Sequence, residues 1–183
     1  MIDISVIIPA YNSSKTILRC LNSLEQNSFS NYEIIVIDDY SSDETASIVR
    51  DFILQGNDNV VLLNNSKNLG PSYSRKIGIE KAKGKSLAFV DSDDYVEPHF
   101  LDLLCEARLN KNAQIIIYDY FVVKRNGKKK RHNVLPDLKI YSKDSRLVLS
   151  VDSFWTCLID KELFKEVDFP NIRNGEDMAV IPQ

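Results

Sequence analysis

The sequence predicts an α/β domain built on a mostly parallel β-sheet with helices on both faces. Three observations predict it. Continuous apolar runs rich in Val and Ile recur through the first two thirds of the chain, and such runs mark strands buried on both faces. Segments with helical apolar spacing separate them, the alternation expected of a parallel sheet. Polar clusters follow the strands directly, where open α/β sheets bind their ligands.

The elements follow in order. ISVIIP over 4–9 is the first strand. Ser13 or Ser14 can cap a helix that carries Ile17, Leu18, Leu21 and Leu24 on one face. YEIIVID over 32–38 is the second strand. Ser42 can cap a helix whose apolar side is Ala46, Ile48, Val49, Phe52 and Ile53. VVLLN over 60–64 is the third strand. Pro71 opens a third helix, with Ile77, Ile79 and Ala82 for packing and Gly84 as its stop. SLAFVD over 86–91 is the fourth strand, and Pro98 opens a helix through Leu101, Leu104 and Leu109. QIIIYDYFVV over 114–123 is a fifth strand. The alternation then breaks. KRNGKKKRH over 124–132 is strongly basic, and Asn126-Gly127 is a hairpin turn signal. A helix from Ser142 and the segment FWTCLIDKELF over 154–164 follow. GEDMAVIPQ starts another helical pattern and reads as a domain boundary or a truncation.

The bulk composition bounds the function. A chain of 183 residues, 44% hydrophobic, fits one globular domain with a full core. A net charge of −3 gives no global pull toward nucleic acid. Binding a phosphorylated ligand would need local compensation from a metal or a few placed cations. No apolar stretch reaches the roughly 20 residues of a membrane span. The N-terminus has no basic region or cleavage site, so its short apolar run reads as a strand. Cys20, Cys105 and Cys157 lack metal-ligand spacing and read as buried thiols of a reducing compartment.

The chemistry-bearing residues lie at predicted strand ends: Pro9-Ala10-Tyr11-Asn12, Asp38-Asp39, Asn68-Leu69-Gly70 and Asp91-Ser92-Asp93-Asp94. In a parallel sheet these ends share one edge, so the four clusters converge. The last is the most informative, since an apolar run ends in three carboxylates. At roughly 4 Å and an effective dielectric of about 20, each like-charged pair repels by about 4 kcal/mol. A bound cation reverses that sign, and oxygen-only ligands favour Mg²⁺ or Mn²⁺. The plain alternative is a polar turn in which Asp94 caps the next helix. Tyr11 can stack on a base and Asn12 can hydrogen-bond to it; Asp38 or Asp39 can accept from a base N–H. Otherwise Asn12 is a loop residue and Asp38 a solvated or capping acid. Neither GxGxxG nor GxxxxGK[ST] occurs. Arg75, early in the third helix, can reach a phosphate or lie on the surface. In Asn174-Gly175-Glu176-Asp177 the acids either favour a helix dipole, worth about 0.3–1 kcal/mol, or supply a general base to a substrate hydroxyl. His99 reads as exposed and His132 as part of the basic hairpin. Phe154 and Trp155 are core or an apolar wall for a sugar ring. The basic run is a solvated hairpin, or a contact for anionic lipid or a phosphorylated acceptor.

Taken together, SVIIPAYN, IDDYSSDET, NLGPSYSRKIGI, FVDSDD and the late GED, in this order, resemble the family 2 inverting glycosyltransferases of the GT-A fold. The resemblance covers nearly the whole chain. It implies a Rossmann-like α/β domain, with 1–123 as a nucleotide-sugar-binding half and 124–183 as the acceptor-side half, incomplete at its C-terminus. It implies metal-assisted transfer, with inversion, of a sugar from a nucleotide-diphosphate sugar, a UDP-sugar by expectation, to a saccharide or lipid-linked acceptor hydroxyl. Pro9, Ala10, Tyr11, Asn12, Asp39 and Asp38 would hold the nucleoside, and Arg75 would lie near base and diphosphate. Asp91, with Ser92 beside it, would lie near ribose or metal. Asp93 would be the metal ligand, with Asp91 and Asp94 as the other candidates, for Mn²⁺ or Mg²⁺. Asp177 would be the base, with Glu176 near the acceptor. The implied setting is bacterial surface polysaccharide synthesis on the cytoplasmic side, with peripheral membrane association. Tyr40 departs from the glycine common in that turn. Two rival readings remain: a haloacid-dehalogenase-like phosphatase with Asp91 and Asp93 as its DxD, and a nucleotide-sugar-binding module without transfer.

Overall fold

The computed structural model describes residues 2–111, 113–124, 126–132 and 154–165. The helix expected from Ser142 and the pattern around Glu176 and Asp177 lie outside them. The strands are β1 (Ile4–Ala10), β2 (Tyr32–Asp38), β3 (Val60–Asn64), β4 (Ser86–Phe89), β5 (Ile115–Ile117), β6 (Tyr120–Val123), β7 (Lys129–His132) and β8 (Cys157–Asp160). The helices are α1 (Ile17–Glu25), α2 (Thr45–Leu54), α3 (Pro71–Lys81) and α4 (Phe100–Lys111). A six-stranded sheet runs β3-β2-β1-β4-β8-β5. β1 pairs parallel with β2 and β4, and β2 with β3, whereas β8 is antiparallel to both β4 and β5. The sheet is therefore mostly parallel, with one reversed strand.

Alternation within the strands divides the core. Ile4, Val6 and Ile8 of β1 and Ile34 and Val36 of β2 pack with Ile17, Leu21 and Leu24 of α1, Val49 and Phe52 of α2, and Leu101 and Leu104 of α4. Ile7, Ile35, Ile37, Leu87 and Phe89 face the other way, toward Ile79 and Ala82. Both faces are covered, which is why the strand sequences are continuously apolar. Leu18 and Leu109 lie outside this core, 46% and 72% exposed.

Several local expectations change. α1 starts after a turn in which the Ser13 carbonyl accepts from the Thr16 and Ile17 amides; neither Ser13 nor Ser14 caps it through a side chain. α2 has Glu44, not Ser42, at its N-cap. Asp43 does the local work there: its Oδ1 accepts from the Thr45 amide at 3.0 Å and its Oδ2 from the Ser14 amide at 3.1 Å. Burial opposes the charge on Asp43, but the bonds from Thr45 and Ser14 outweigh it and hold the carboxyl at about 2. α4 begins at Phe100, after His99 with its φ of 67°. The run over 114–123 is not one strand. It breaks at Tyr118-Asp119, sending β5 to the large sheet and β6 to a separate hairpin with β7. The Asn126-Gly127 turn is as expected, with Gly127 at φ 78°.

Gly84 does not stop α3, which ends at Lys81 with Ala82 as its C-cap. It serves close approach instead. A Cβ there would lie 2.5 Å from the Ser5 amide nitrogen and 2.7 Å from the Ile4 carbonyl carbon. Its amide donates to Ser5 Oγ at 2.8 Å, and Ser5 donates to the buried Glu33 at 2.7 Å. Glu33 also accepts from the Lys83 amide. This network ties the chain after α3 to β1 and β2. Because the obstructing atoms are backbone, Gly84→Ala is expected to destabilise the domain by about 1–3 kcal/mol, measured by urea unfolding. An unchanged midpoint would contradict this close-packing account.

Candidate active site

The parallel strands put four of the expected clusters on one edge. Ala10 pairs with Asp38, and Asp38 with Asn64, at the carboxyl ends of β1, β2 and β3. The Val90 amide donates to the Ile7 carbonyl, so the chain leaving β4 enters the same edge at Asp91.

The acids on that edge have different surroundings. Asp39 is 3% exposed. Its Oδ1 accepts from Asn65 Nδ2 at 2.7 Å and the Leu69 amide at 2.9 Å, and its Oδ2 from the Gly70 amide at 2.7 Å. Asp39 thus holds the Asn68-Leu69-Gly70 loop at the entrance to α3. Asp38, 4% exposed, points to the opposite sheet face by strand alternation. Its Oδ2 accepts weakly from the Ser41 amide at 3.3 Å, and its buried Oδ1 has no partner among the described residues. An orphaned buried carboxylate oxygen is costly, so of the two acids Asp38 retains an acceptor for a ligand.

Tyr11 is 52% exposed beside it. Asn12 takes a left-handed φ of 50°; its Oδ1 accepts from the Ser42 amide at 2.9 Å, and its amide donates to Ser41 Oγ at 2.9 Å. These bonds lock the loop after β1 to the loop after β2. Tyr40 adopts φ 64°, a conformation that suits glycine. The turn keeps the glycine-type backbone although a tyrosine occupies it, a strain of order 1–3 kcal/mol.

Arg75 is buried and donates through Nη2 to Asp91 Oδ1 at 3.0 Å. The arginine assigned to a phosphate therefore also neutralises the first acid of the DSDD loop. Ser92 is buried, its hydroxyl 2.7 Å from that of Ser13. Asp93 and Asp94 are exposed. Arg19 Nη2 donates to the Asp93 carbonyl and its guanidinium lies over the Tyr95 ring, 5.0 Å from the centroid. Desolvation, then repulsion from Asp93 and Asp91, raises the Asp94 pKa; Arg19 opposes the shift. The negative field reaches inward. Cys20, whose Sγ lies 3.7 Å from the Asp91 carbonyl oxygen, is pushed up to about 12 by burial and then by Asp94 and Asp91. A groove of about 650 Å³ lies between α1 and residues 95–98, beside the acidic loop rather than over it. Among the described residues no three His, Cys, Asp or Glu side chains form a metal cage.

The family model for Glycosyl transferase family 2 matches residues 5–168. The chain belongs to glycosyl transferase family 2. It is 30% identical over 193 residues to the glycosyltransferase GlyG of Streptococcus pneumoniae, covering 97% of this chain and 63% of that protein. An uncharacterized glycosyltransferase of Haemophilus influenzae is 33% identical over 182 residues, covering 96% of this chain and 69% of that one. Crystal structures of S. aureus TarS residues 1–349 with UDP and with UDP-GlcNAc each superpose with a TM-score of 0.81 at 28% identity. They cover 96% of this chain and 53% and 51% of theirs. The GT-A fold of this family 2 member accounts for the sheet order and the reversed β8. The chain spans 63% of the length of GlyG.

Pro9, Ala10, Tyr11, Asn12, Asp38, Asp39, Arg75, Asp91, Ser92, Asp93 and Asp94 thus all lie on or beside one sheet edge, while Glu176 and Asp177 lie outside the described residues. Sequence reasoning missed Ser13, Arg19 and Asn65, each of which fixes a site loop. Arg19 alone left a signal, as a cation on the helix that follows the first cluster. Trp155 is only partly buried, its ring edge-on to Tyr120 at a centroid distance of 4.5 Å.

The raised Asp94 pKa gives a sign-definite expectation. The folded state holds the proton more tightly than the unfolded chain, so the stabilisation is complete below the ordinary value of 3.8 and is lost as pH rises through the higher folded value. At neutral pH the ionised Asp94 is a burden on the ligand-free protein. Asp94→Asn should raise its unfolding temperature at neutral pH, and the gap should close in acid. A lowered unfolding temperature at neutral pH would contradict the repulsion.

Proposed function

We propose that this domain transfers a sugar from a UDP-sugar to an acceptor hydroxyl, with inversion at the anomeric carbon and assistance from Mn²⁺ or Mg²⁺. The observation that carries this reading is the juxtaposition on one edge of a stacking residue, an unpaired buried acceptor and a cation–carboxylate pair. Tyr11 and Asn12 offer a platform for a base, and Asp38 Oδ1 an acceptor for its N–H. Arg75 and the DSDD loop stand where a diphosphate leaving a parallel sheet edge would lie. The TarS structures with UDP and UDP-GlcNAc support a uridine donor, because their similarity spans this whole edge.

The residues present fit a divalent cation. Asp93 and Asp94 crowd negative charge around oxygen donors; desolvation and then repulsion from Asp93 and Asp91 raise the Asp94 pKa. Mg²⁺-type ions are held by one or two carboxylates plus substrate phosphates rather than by all-protein cages. Asp93 would hold the ion, with Asp91 restrained by Arg75 as a ribose or metal contact and Asp94 as an alternative ligand. When bound, the ion stabilises the negative charge that develops on the departing diphosphate. The protein supplies the rest. Asp39 fixes the loop before Arg75, Ser13 steadies Ser92, and Arg19 steadies the Asp93 backbone. Asp177 takes the proton from the acceptor hydroxyl, and Glu176, its neighbour in sequence, serves the acceptor side. The acceptor is a saccharide or lipid-linked saccharide of a bacterial surface polymer. We place the reaction in the cytoplasm at the inner face of the membrane. Among the described residues no helix is long and apolar enough to cross a membrane.

UDP is expected to raise the unfolding temperature more with Mn²⁺ than with EDTA, and Asp93→Ala to erase that difference. Equal shifts in all samples would remove the metal role. Asp177→Asn should keep UDP binding and lose transfer from UDP-sugars; full turnover by that variant would remove Asp177 as the base.

A further inference from the structure

We infer that the β6–β7 hairpin is a docking element for anionic phospholipid. The inference deepens the membrane placement proposed above but does not depend on the transfer reaction. Residues 124–132 hold six lysines and arginines and no acid, in a chain whose net charge is −3. Charge of that sign, set apart from an acidic body, complements a negative membrane surface.

The register shows how the hairpin presents itself. Tyr120 faces His132, Phe121 faces Arg131, Val122 faces Lys130 and Val123 faces Lys129. Its base is tied to the domain. Tyr120 stacks on His132 at 4.7 Å and meets Trp155 edge-on. Arg131 pairs with Asp119 at 2.7 Å and Lys129 with Glu97. A lone two-stranded ribbon is marginal in water, so these ties account for its order. Toward the turn the hairpin is open. Lys124, Lys128 and Lys130 are exposed and alternate onto one face, with Val122 among them. Phe121, Val122 and Val123 are 48%, 46% and 43% exposed.

Lysines also guard a sheet edge against pairing with another chain, but that role does not call for an exposed Val122 among them, nor for Phe121 and Val123 exposed on the ribbon's other face beside Lys129. A soluble phosphate polymer would use the cations and leave the apolar side chains idle. A bilayer interface uses both: lysines meet the headgroups, and the apolar side chains enter the acyl boundary. The hairpin follows β5 directly and packs on Trp155, just before β8. Both lie at the same sheet edge as the acidic loop, so docking here would bring the candidate active site to the membrane surface.

The test is flotation of the protein with vesicles of phosphatidylcholine alone and of phosphatidylcholine mixed with phosphatidylglycerol. Binding is expected only to the mixed vesicles and should weaken with added salt. The triple variant Lys124→Gln, Lys128→Gln, Lys130→Gln should lose roughly fivefold in partitioning per cation removed. Phe121→Ser, which keeps every charge, should lose the binding that survives salt. The UDP-dependent thermal shift, recorded on the same samples, should stay unchanged. This readout separates failure of docking from failure of the donor site or of folding. Parent-like binding by the triple variant would overturn the inference. So would binding of inorganic polyphosphate as tight, per phosphate, as binding of the mixed vesicles.

Discussion

The contact between Arg75 and Asp91 is the interaction on which the site depends. β4 delivers three carboxylates to one sheet edge within four residues, and a loop of that charge does not close on a hydrophobic sheet without a cation. Arg75 supplies it from the first turns of α3, almost fully buried and 3.0 Å from the acid. Among the described residues, only the innermost of the three acids is paired with an arginine side chain in this way. Asp93 and Asp94 remain exposed, with Arg19 opposing part of their mutual repulsion. That residual charge is the basis on which we propose a cation and a diphosphate at this edge.

The position of Arg75 is itself prepared by a second acid. Asp39 spends its bonds on Asn65, Leu69 and Gly70, and so sets where α3 begins. The neighbouring acid cannot share that task, because one step along a strand turns its side chain to the other face. Asp38, paired in the sheet with Ala10, keeps one oxygen without a partner among the described residues. Two adjacent and chemically identical residues thus differ by strand alternation: one anchors a loop, and the other keeps the oxygen we propose as a ligand acceptor.

Much of this was legible in the sequence. Strand runs as long as ISVIIP and YEIIVID need burial on both faces, so the parallel sheet and the shared edge followed from them. Asn126-Gly127 announced its turn because few residues adopt positive φ. What stayed hidden depends on tertiary partners. CLID over 157–160 carries no mark that it inserts backward between β4 and β5, since antiparallel and parallel neighbours accept the same apolar residues. The break at Tyr118-Asp119 is set by which sheet has room for each half of an otherwise uniform strand pattern. Gly84 looked like a helix stop, but its reason lies across space in the Ser5 backbone. Tyr40 is the reverse case: the sequence lacks the glycine, yet the turn keeps the glycine-like conformation, flanked by the bond Asn12 donates to Ser41 and the one it accepts from Ser42.

We propose that the exposed acids after β4, Asp93 and Asp94, meet a divalent cation shared with a nucleotide diphosphate. The most direct measurement is a crystal structure of the protein grown with UDP and Mn²⁺, with the ion located by its anomalous scattering. The account predicts one strong peak in coordination contact with the Asp93 carboxylate and the diphosphate, with Arg75 still paired to Asp91. A bound UDP with no manganese at the Asp91–Asp94 loop, or manganese held elsewhere on the domain, would contradict it.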